Sequence, residues 1–459
     1  MYSMQVLLIS TYDLGRQPFG LASPAAWIRE TGATVTCADL SRDSLPESVV
    51  RNVDLIAIHL PMHTATRLAL PLIERLKNLN RQAHVCCYGL YGPPNEVLLR
   101  QLGVHTVLGA EVEAELVSLV EQLQQSSSNG RLASNFELEE AKNKVPRLRF
   151  RVPDRTGLPA LSRYASLCTG DGQRLVTGYT EASRGCQHLC RHCPIVPIYQ
   201  GAFRVVPIDI VVADVRAQVD AGAKHITFGD PDFFNGPRHA VRVVEALARS
   251  FPNVTYDVTI KIQHLLSHSQ YLRVLSDTGC LFVTSAVESV DDRVLALLDK
   301  GHTRKDFERA VELCECAKLS LSPTFVTFTP WTSIESYVDL LETIVRLDLV
   351  EVVSPIQLGV RLLIPKGSKL LELSEIRSLV EPFDQVNLIY PWRNLDPRVD
   401  MLQRDVMKII GLRGSDVRRS VFNDIRSLAR EVAGLRPEMY PPPARPRATV
   451  PYLDEPWYC

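Results

Sequence analysis

The sequence predicts an α/β protein in which two units of parallel sheet follow one another and a helical region comes last. Short apolar runs alternate with amphipathic helical stretches over residues 1–125, and the alternation resumes near residue 174 and continues to residue 363. Between the two units the chain is rich in Gln and Ser, then polar and charged without a clear period. Strand–helix alternation with short links is typical of parallel sheets, and an aperiodic polar stretch is typical of a linker.

The first unit has the pattern of a doubly wound sheet. Its helices are expected at 23–31, 64–78 and 111–124, with Ser23 as the cap of the first. Such a sheet binds ligands at the carboxyl ends of its strands, where the strand order reverses. Short buried strands are expected at 6–10, 34–38, 55–59, 84–88 and 106–108.

The second unit has the pattern of a partial (β/α)6 barrel. Repeated right-handed strand–helix units close toward a barrel, whose chemistry sits at the carboxyl ends of the strands. The expected strands cover 175–179, 224–229, 255–260, 281–287, 322–329 and 352–363. The expected domains are a Rossmann-like unit at 1–125, a linker at 126–170 with a short helix near 138–144, the barrel at 171–370, a helical region at 371–435 and a Pro-rich tail at 436–459.

Composition and charge argue against several classes of function. The 459-residue chain has a formal net charge of -1 at pH 7, so no electrostatic footprint indicates nucleic acid or an anionic membrane as a partner. Its longest apolar runs, at 6–9 and 352–364, are too short for a membrane span, and its first residues do not read as a signal peptide. We therefore expect a cytoplasmic protein.

Three cysteines form the most informative motif of the chain. Cys186, Cys190 and Cys193 are spaced so that one short loop can turn three thiolates toward a common point. Soft thiolates suit an iron–sulfur cluster or zinc, and a site with three protein ligands keeps an open coordination position. The alternative is a structural zinc site with His188 or His192 as fourth ligand, although no second ligand pair follows at zinc-site spacing. A disulfide framework is disfavoured because eleven cysteines are sparse and odd in number.

This cysteine loop resembles that of radical S-adenosylmethionine (SAM) enzymes, and the resemblance covers about residues 176–368. It implies that Cys186, Cys190 and Cys193 hold a 4Fe–4S cluster whose fourth iron chelates the amino and carboxylate groups of SAM. It also implies a small-molecule substrate and an external electron donor of the flavodoxin or ferredoxin type.

The same resemblance implies contacts to SAM from the first half of the barrel. His192 stands where the family packs a ring near the adenine, with a solvent-facing ring as the alternative. Gly229 and Asp230 stand at the end of the second strand, where the family binds the SAM ammonium, and Asp232 is the alternative carboxylate. A turn rich in Asp, Pro and Gly is also common for structural reasons alone.

Further contacts to SAM are implied in the second half of the barrel. Glu288 and Ser289 match a Gly-Ile-Glu-Ser pattern that reaches the ribose and carboxylate of SAM, although Ala286 replaces the glycine. The Lys-Gly-His sequence that begins at Lys300 follows, as in the family. Strand alternation would place Gln357 and Arg361 on one face, with Arg361 either at the SAM carboxylate or pointing outward.

The first unit resembles the cobalamin-binding domains that are fused to radical SAM domains. The resemblance lies in Gln-Pro-Phe-Gly-Leu-Ala from Gln17, in Ala-Ala-Trp-Ile-Arg-Glu-Thr-Gly from Ala25, in Gly89 and in Gly-Ala-Glu-Val-Glu from Gly109. The Asp-x-His-x-x-Gly motif is missing, and the segment from Asp13 holds no histidine that would ligate cobalt from below. The resemblance implies bound cobalamin, with a vestigial domain used for packing or substrate closure as the alternative.

The end of the chain, Pro-Tyr-Leu-Asp-Glu-Pro-Trp-Tyr-Cys, resembles that of radical SAM proteins whose tail reads Cys-Cys-Ala-Glu-Pro or Cys-selenocysteine-Ala-Glu-Pro. The resemblance implies that Cys459 acts in catalysis and that the chain stops at a selenocysteine codon. The expected activity is reductive cleavage of SAM with transfer of a methyl or alkyl group, or another radical transformation, on a small molecule. The alternatives are transfer of the 3-amino-3-carboxypropyl group of SAM to a thiophile such as arsenite, and a non-catalytic Fe–S or zinc module.

Overall fold

A five-stranded parallel sheet forms the first part of the computed structural model, which describes residues 3–109, 111–128, 148–413, 417–436 and 452–454. The strand order β2-β1-β3-β4-β5 reverses between β1 and β3, so the doubly wound, Rossmann-like prediction is confirmed. The strands are β1 (Gln5–Ser10), β2 (Thr34–Asp39), β3 (Leu55–His59), β4 (His84–Tyr88) and β5 (Thr106–Leu108). The helices are α1 (Phe19–Arg29), α2 (Glu47–Arg51), α3 (His63–Leu79), α4 (Glu96–Gln101) and α5 (Glu113–Ser128), with a 3-10 turn at Pro93–Asn95.

Both faces of this sheet are covered. Val6 and Leu8 pack with α1 and α5 in one apolar core, whereas Leu7 and Ile9 pack with α3 and α4 in another. Successive side chains of a strand point to opposite faces, so each core takes alternate residues of the central strand. The near-continuous apolar run of β1 is therefore explained by burial on both sides.

Helix α1 begins at Phe19, and the prediction that Ser23 caps it is wrong. Pro18 is extended at φ -68° and ψ 105°, and the helix starts directly after it. Pro24 lies inside the helix and has no N–H for the carbonyl of Gly20, which instead accepts a 2.8 Å hydrogen bond from the Tyr88 hydroxyl. The sequence pattern of a Ser-Pro helix start was misleading because β4 supplies the missing donor.

A seven-stranded sheet forms the second part, in the order β13-β12-β11-β10-β7-β6-β14. Strands β7, β10, β11, β12 and β13 are parallel, and β6 and β14 add antiparallel strands at one edge. This is the open, partial barrel that the sequence predicts. Its strands are β6 (Ser166–Cys168), β7 (Arg174–Thr180), β10 (His225–Phe228), β11 (Thr255–Thr259), β12 (Cys280–Glu288), β13 (Ser320–Phe325) and β14 (Tyr452–Leu453), and β8 (Ser183–Gly185) pairs separately with β9 (Phe203–Val205).

Helices cover the second sheet and continue beyond it. Within the sheet region they are α6 (Val196–Tyr199), α7 (Ile208–Asp220), α8 (Pro237–Ser250), α9 (Ile262–Ser267), α10 (Leu272–Asp277), α11 (Asp292–Leu297), α12 (Arg304–Cys316) and α13 (Ile334–Arg346). After it come α14 (Ser374–Leu379), α15 (Pro397–Arg413) and α16 (Arg418–Val432). Further 3-10 turns lie at Leu161–Arg163, Phe233–Asn235, Ser269–Tyr271, Pro355–Leu358 and Lys369–Glu372. Among the described helices, none has both the length and the apolar character to cross a bilayer.

The sixth strand predicted at 352–363 does not form. Pro355–Leu358 is a 3-10 turn, and only an isolated parallel bridge joins Phe328 to Arg361. Proline fixes φ and lacks an N–H donor, so it interrupts a strand that would have to pair on both sides. The core of the barrel instead extends to residues such as Leu402 and Phe422, from α15 and α16.

The predicted domain boundaries stay a prediction. The short helix expected near 138–144 lies outside the described residues, as does most of the Pro-rich tail. The described cysteines are all free thiols, in agreement with the argument against a disulfide framework.

Candidate active site

A cavity of about 1200 Å³ lies where the carboxyl ends of the two sheets face each other. Asp13, Arg16 and His59 line it from the first sheet, and Asp257 and Thr284 line it from the barrel. Ordinary small-molecule pockets are about 300–1,000 Å³. The cavity is therefore large enough for a bulky ligand, or for two ligands side by side.

Arg184 joins the two halves of this cavity. It lies on β8, directly ahead of the cysteine loop, and its guanidinium is 2.6 Å from Glu113 of α5 and 2.8 Å from Glu181. It also donates to the Ser23 hydroxyl of α1 at 3.0 Å. Arg184 is thus engaged mainly with the first sheet, and it fixes the cysteine loop to that sheet.

The cysteine loop runs from β8 to α6. Cys186 and Cys190 are buried and Cys193 is half-buried, and the Cys193 N–H donates to the Cys190 carbonyl at 3.1 Å. Burial raises the pKa of Cys186 to about 12 and that of Cys193 to about 11. Thiolates at such positions need a compensating positive centre. Three thiols on one loop, two of them buried, fit the donor set of a 4Fe–4S cluster.

The two histidines of the loop are directed at carboxylates. The Nε2 atom of His188 lies 3.1 Å from Asp232, which also lies 2.7 Å from the Nδ1 atom of His264. The Nε2 atom of His192 lies 3.1 Å from Glu288. One ring nitrogen of each loop histidine is therefore engaged by a carboxylate.

Glu288 stands at the end of β12 in a buried, positively charged surrounding. Its Oε1 atom lies 3.3 Å from the Nζ atom of Lys300 as well as 3.1 Å from His192. Burial alone would raise its pKa, but Lys300 and His192 outweigh that effect and hold the pKa at about 2. The carboxylate is consequently ionised at any working pH. His302 lies near Lys300 and is neutral, because burial lowers its pKa to about 4.

Gly229 and Asp230 line the cavity, and both also contact neighbouring residues of the protein. A Cβ atom on Gly229 would lie 1.7 Å from the Tyr179 hydroxyl, so the residue is small because Tyr179 occupies the space. Asp230 accepts hydrogen bonds from the Ser183 hydroxyl at 2.6 Å and from the Ala182 N–H at 2.9 Å. Burial raises the pKa of Asp230 to about 7. This carboxyl therefore holds the strand that enters the cysteine loop.

The remaining predicted contacts divide between the cavity and the protein interior. Gln357 lines the cavity while its amide oxygen accepts from the Phe325 N–H at 3.0 Å. The Ser289 hydroxyl accepts from the Asp291 N–H at 3.1 Å, in the turn before α11. Arg361 does not face the pocket: it lies 2.7 Å from Asp400 and stacks on Trp392 at 3.6 Å. The strand alternation invoked for Arg361 does not apply, because the strand is absent.

The position of the first-sheet side of the cavity fits cobalamin. It lies at the switch point between β1 and β3, and it includes the backbone of Gly20 and Gly89. A Cβ atom on Gly20 would lie 2.0 Å from the ring of His59, at the end of β3. Burial, with some help from Arg184, lowers the pKa of His59 to about 3, so the ring is neutral.

Two residues of the site, His59 and Lys261, were missed from the sequence. His59 closes β3, and Lys261 comes two residues after β11. A polar residue at the carboxyl end of a buried parallel strand is the signal that would have found both.

The tail returns to the cavity. Tyr452 and Leu453 pair with Cys168 and Leu167 at the edge of the second sheet, and Asp454 lines the cavity. Asp454 also lies 2.6 Å from Arg174. Cys459, the predicted catalytic thiol, lies outside the described residues.

Residues 180–344 match the family model described as the radical SAM superfamily. The matched segment begins at the end of β7, includes the cysteine loop and ends in α13. This segment, which contains the three cysteines, is thus similar to a radical SAM domain.

Solved structures show where this fold occurs. The radical enzyme OxsB, with aqua-cobalamin and SAM bound, superposes with a TM-score of 0.69 at 14% identity, over 89% of this chain and 67% of that chain. The radical SAM methyltransferase TsrM from Kitasatospora setae, with cobalamin and a [4Fe-4S] cluster bound, gives 0.61 at 16% identity, over 94% and 100%. The fold is that of cobalamin-dependent radical SAM enzymes.

Similarity in sequence is confined to part of the chain. A tRNA-2-methylthio-N(6)-dimethylallyladenosine synthase from Chlorobium limicola is 28% identical over 145 residues, which is 30% of this chain and 32% of that protein. The chain therefore spans about a third of the length of the curated relatives it matches.

Proposed function

We propose that the protein is a radical SAM enzyme that transfers a methyl or alkyl group to a small molecule, with cobalamin as a second cofactor. One observation carries the proposal: Arg184, Gly185 and Ile195, which flank the three-cysteine loop, line a cavity of about 1200 Å³ that both sheets share. When bound, a 4Fe–4S cluster supplies the electron that cleaves SAM, and cobalamin supplies a carrier for the transferred group. TsrM, with the same fold, is a methyltransferase with both groups bound.

Different residues of the chain would bind the cluster and SAM. Cys186, Cys190 and Cys193 would hold the cluster. Glu288 is an ionised, buried carboxylate, and such a group accepts strong hydrogen bonds from hydroxyls such as those of a ribose. Lys300 keeps it ionised, and His192 orients it. Ser289 and Gln357 stay proposed SAM contacts, and so do Gly229 and Asp230, which line the cavity.

The position of Asp454 in the tail supports a catalytic role for Cys459 at the end of the chain. Asp454 lies at the cavity wall, and the five residues that follow it reach at most about 18 Å when extended. Cys459 is thus within reach of the cavity. We propose that this thiol contacts the substrate there. The resemblance to tails with a Cys-Cys or Cys-selenocysteine pair supports this proposal.

The experiment that tests the proposal loads the protein with its cofactors. Anaerobic reconstitution with iron, sulfide and hydroxocobalamin is expected to give four irons and one cobalamin per chain, measured by metal analysis and absorbance. Gly20→Ala should lower cobalamin retention, because the added methyl group pushes His59 into the cavity. Gly411→Ala is the matched control, since a Cβ atom at this other helical glycine meets nothing within 4 Å. Zinc retention without iron would contradict the proposal.

A further inference from the structure

Lys261 is a buried lysine that lies at the cysteine loop. It follows β11 and precedes α9, and only 6% of its surface is exposed. Its Nζ atom donates a hydrogen bond to the Sγ atom of Cys190 at 3.3 Å. Burying an ammonium group is costly unless an anion compensates it. The group that Lys261 faces is a sulfur which becomes an anionic thiolate once it ligates a metal.

The backbone of Lys261 is tied to the same loop. The Oδ1 atom of Asp232 accepts from the Lys261 N–H at 3.5 Å and from the Phe234 N–H at 3.2 Å. The Oδ2 atom of Asp232 lies 3.1 Å from His188, which is in the loop between Cys186 and Cys190. One buried carboxylate therefore fixes both Lys261 and the cysteine loop, and the Nζ–Sγ contact is preorganised.

A second buried lysine nearby has a different partner. Lys300 lies 3.3 Å from Glu288, so its charge is compensated by that carboxylate. Lys261 has a sulfur as its hydrogen-bond partner instead. Of the two ammonium groups, Lys261 is the one that donates a hydrogen bond to the sulfur of a cluster ligand.

We propose that Lys261 is a positioning residue that raises the reduction potential of the cluster by donating a charged hydrogen bond to the sulfur of Cys190. The inference rests on the proposed function, because it requires the cluster. Hydrogen bonds to ligand sulfurs and nearby charge set the potentials of Fe–S clusters. One-electron reduction by the external donor adds a negative charge, and the fixed ammonium stabilises that reduced state. The residue thereby makes the cluster easier for a flavodoxin- or ferredoxin-type donor to reduce.

The test is a redox titration of the reconstituted cluster, without SAM, followed by electron paramagnetic resonance. Lys261→Met keeps the length of the side chain and removes the charge. At a fixed potential, the ratio of reduced to oxidised cluster should fall about tenfold, which is a shift of about 59 mV to more negative potential for one electron. Lys261→Arg keeps the charge, so its reduction potential should stay close to that of the wild type. The exposed Lys305→Met is the control and should match the wild type.

The outcomes separate this inference from the proposed function. An unchanged potential in a Lys261→Met protein with full iron would overturn the inference, and so would a weaker affinity for SAM as the sole effect. If Lys261→Met binds no iron, Lys261→Gln, which keeps an N–H donor without charge, decides by the same titration: a potential equal to the wild type overturns the role of charge. Absence of a cluster in the wild type itself would instead refute the proposed function.

Discussion

The Nζ atom of Lys300 lies 3.3 Å from the Oε1 atom of Glu288, and both side chains are buried at the end of β12. The backbone of Glu288 has a φ of 69°, a left-handed conformation that residues other than glycine rarely adopt. Strain of this kind persists where the surrounding structure enforces it, and it is frequent in binding sites. The strained residue and its paired charge point to Glu288 as a ligand contact.

Glu288→Gln should weaken SAM binding by roughly ten- to a hundredfold, because one charge-assisted hydrogen bond is worth about 1.5–3 kcal/mol. The absorbance of the cluster should not change, since Glu288 is not a cluster ligand. Equilibrium binding of SAM to the reconstituted protein measures the effect. Glu312→Gln, on the outer face of α12, is the control. An unchanged dissociation constant would return Glu288 to a purely structural role.

Replacing any one of Cys186, Cys190 or Cys193 with Ala should abolish both the cluster and SAM cleavage. Cys280→Ala and Cys314→Ala should leave both largely intact, because these thiols are buried in β12 and α12, within the apolar core of the barrel. Iron content and the visible charge-transfer band after anaerobic reconstitution distinguish the two groups. Full iron and activity in a Cys190→Ala protein would refute the assignment of the loop.

The pH dependence of stability should carry a signature of Glu181 at the cavity wall. Burial raises its pKa to about 8, although Arg184 opposes the shift, whereas an unfolded Glu titrates near pH 4.3. Between these values the folded protein holds a proton that the unfolded chain has lost. The stability contributed by this group is therefore full below about pH 4.3 and is lost as the pH rises through about 8.

Glu181→Gln should remove that dependence. The melting temperature of the apoprotein should fall less between about pH 6 and pH 9 in the variant than in the wild type. Scanning calorimetry at several pH values gives the comparison, and Glu312→Gln should follow the wild type. Parallel curves for wild type and Glu181→Gln would show that Glu181 titrates normally.

Much of the architecture followed from the sequence, and the errors have physical causes. Alternation of apolar runs with helices predicted both sheets, because burial on two faces leaves a clear pattern. The prediction for Ser23 was wrong because a distant partner, Tyr88, supplies a hydrogen bond to Gly20. The strand around Pro355 was wrong because the proline prevents pairing. Of the two placements left open for Arg361, the structure has the one away from the cavity, beside Asp400 and Trp392. Lys261 was missed because its partner, Cys190, is 71 residues away in the chain.

Removing the chain from Tyr452 onward should preserve the fold, the cluster and uncoupled SAM cleavage, yet greatly reduce product formation. The described part of the tail adds a two-residue strand at a sheet edge and an exposed ion pair from Asp454 to Arg174, which is worth at most about 1 kcal/mol. Thermal stability, iron content and turnover are compared between the full and shortened chains. Cys459→Ala separates the thiol from the rest of the tail. Equal turnover in the shortened chain would exclude a catalytic role.

Identifying the products formed from SAM is the most direct test of whether the protein is a radical SAM enzyme that transfers a methyl or alkyl group. The reconstituted protein, loaded with cobalamin, is reduced anaerobically with SAM, and the products are identified by mass spectrometry. We expect 5′-deoxyadenosine together with S-adenosylhomocysteine, which report radical cleavage and methyl transfer. Methylthioadenosine as the main product would contradict this expectation and would favour transfer of the aminocarboxypropyl group. If a protein that holds four irons did not cleave SAM, the remaining alternative would be a non-catalytic cluster-binding module.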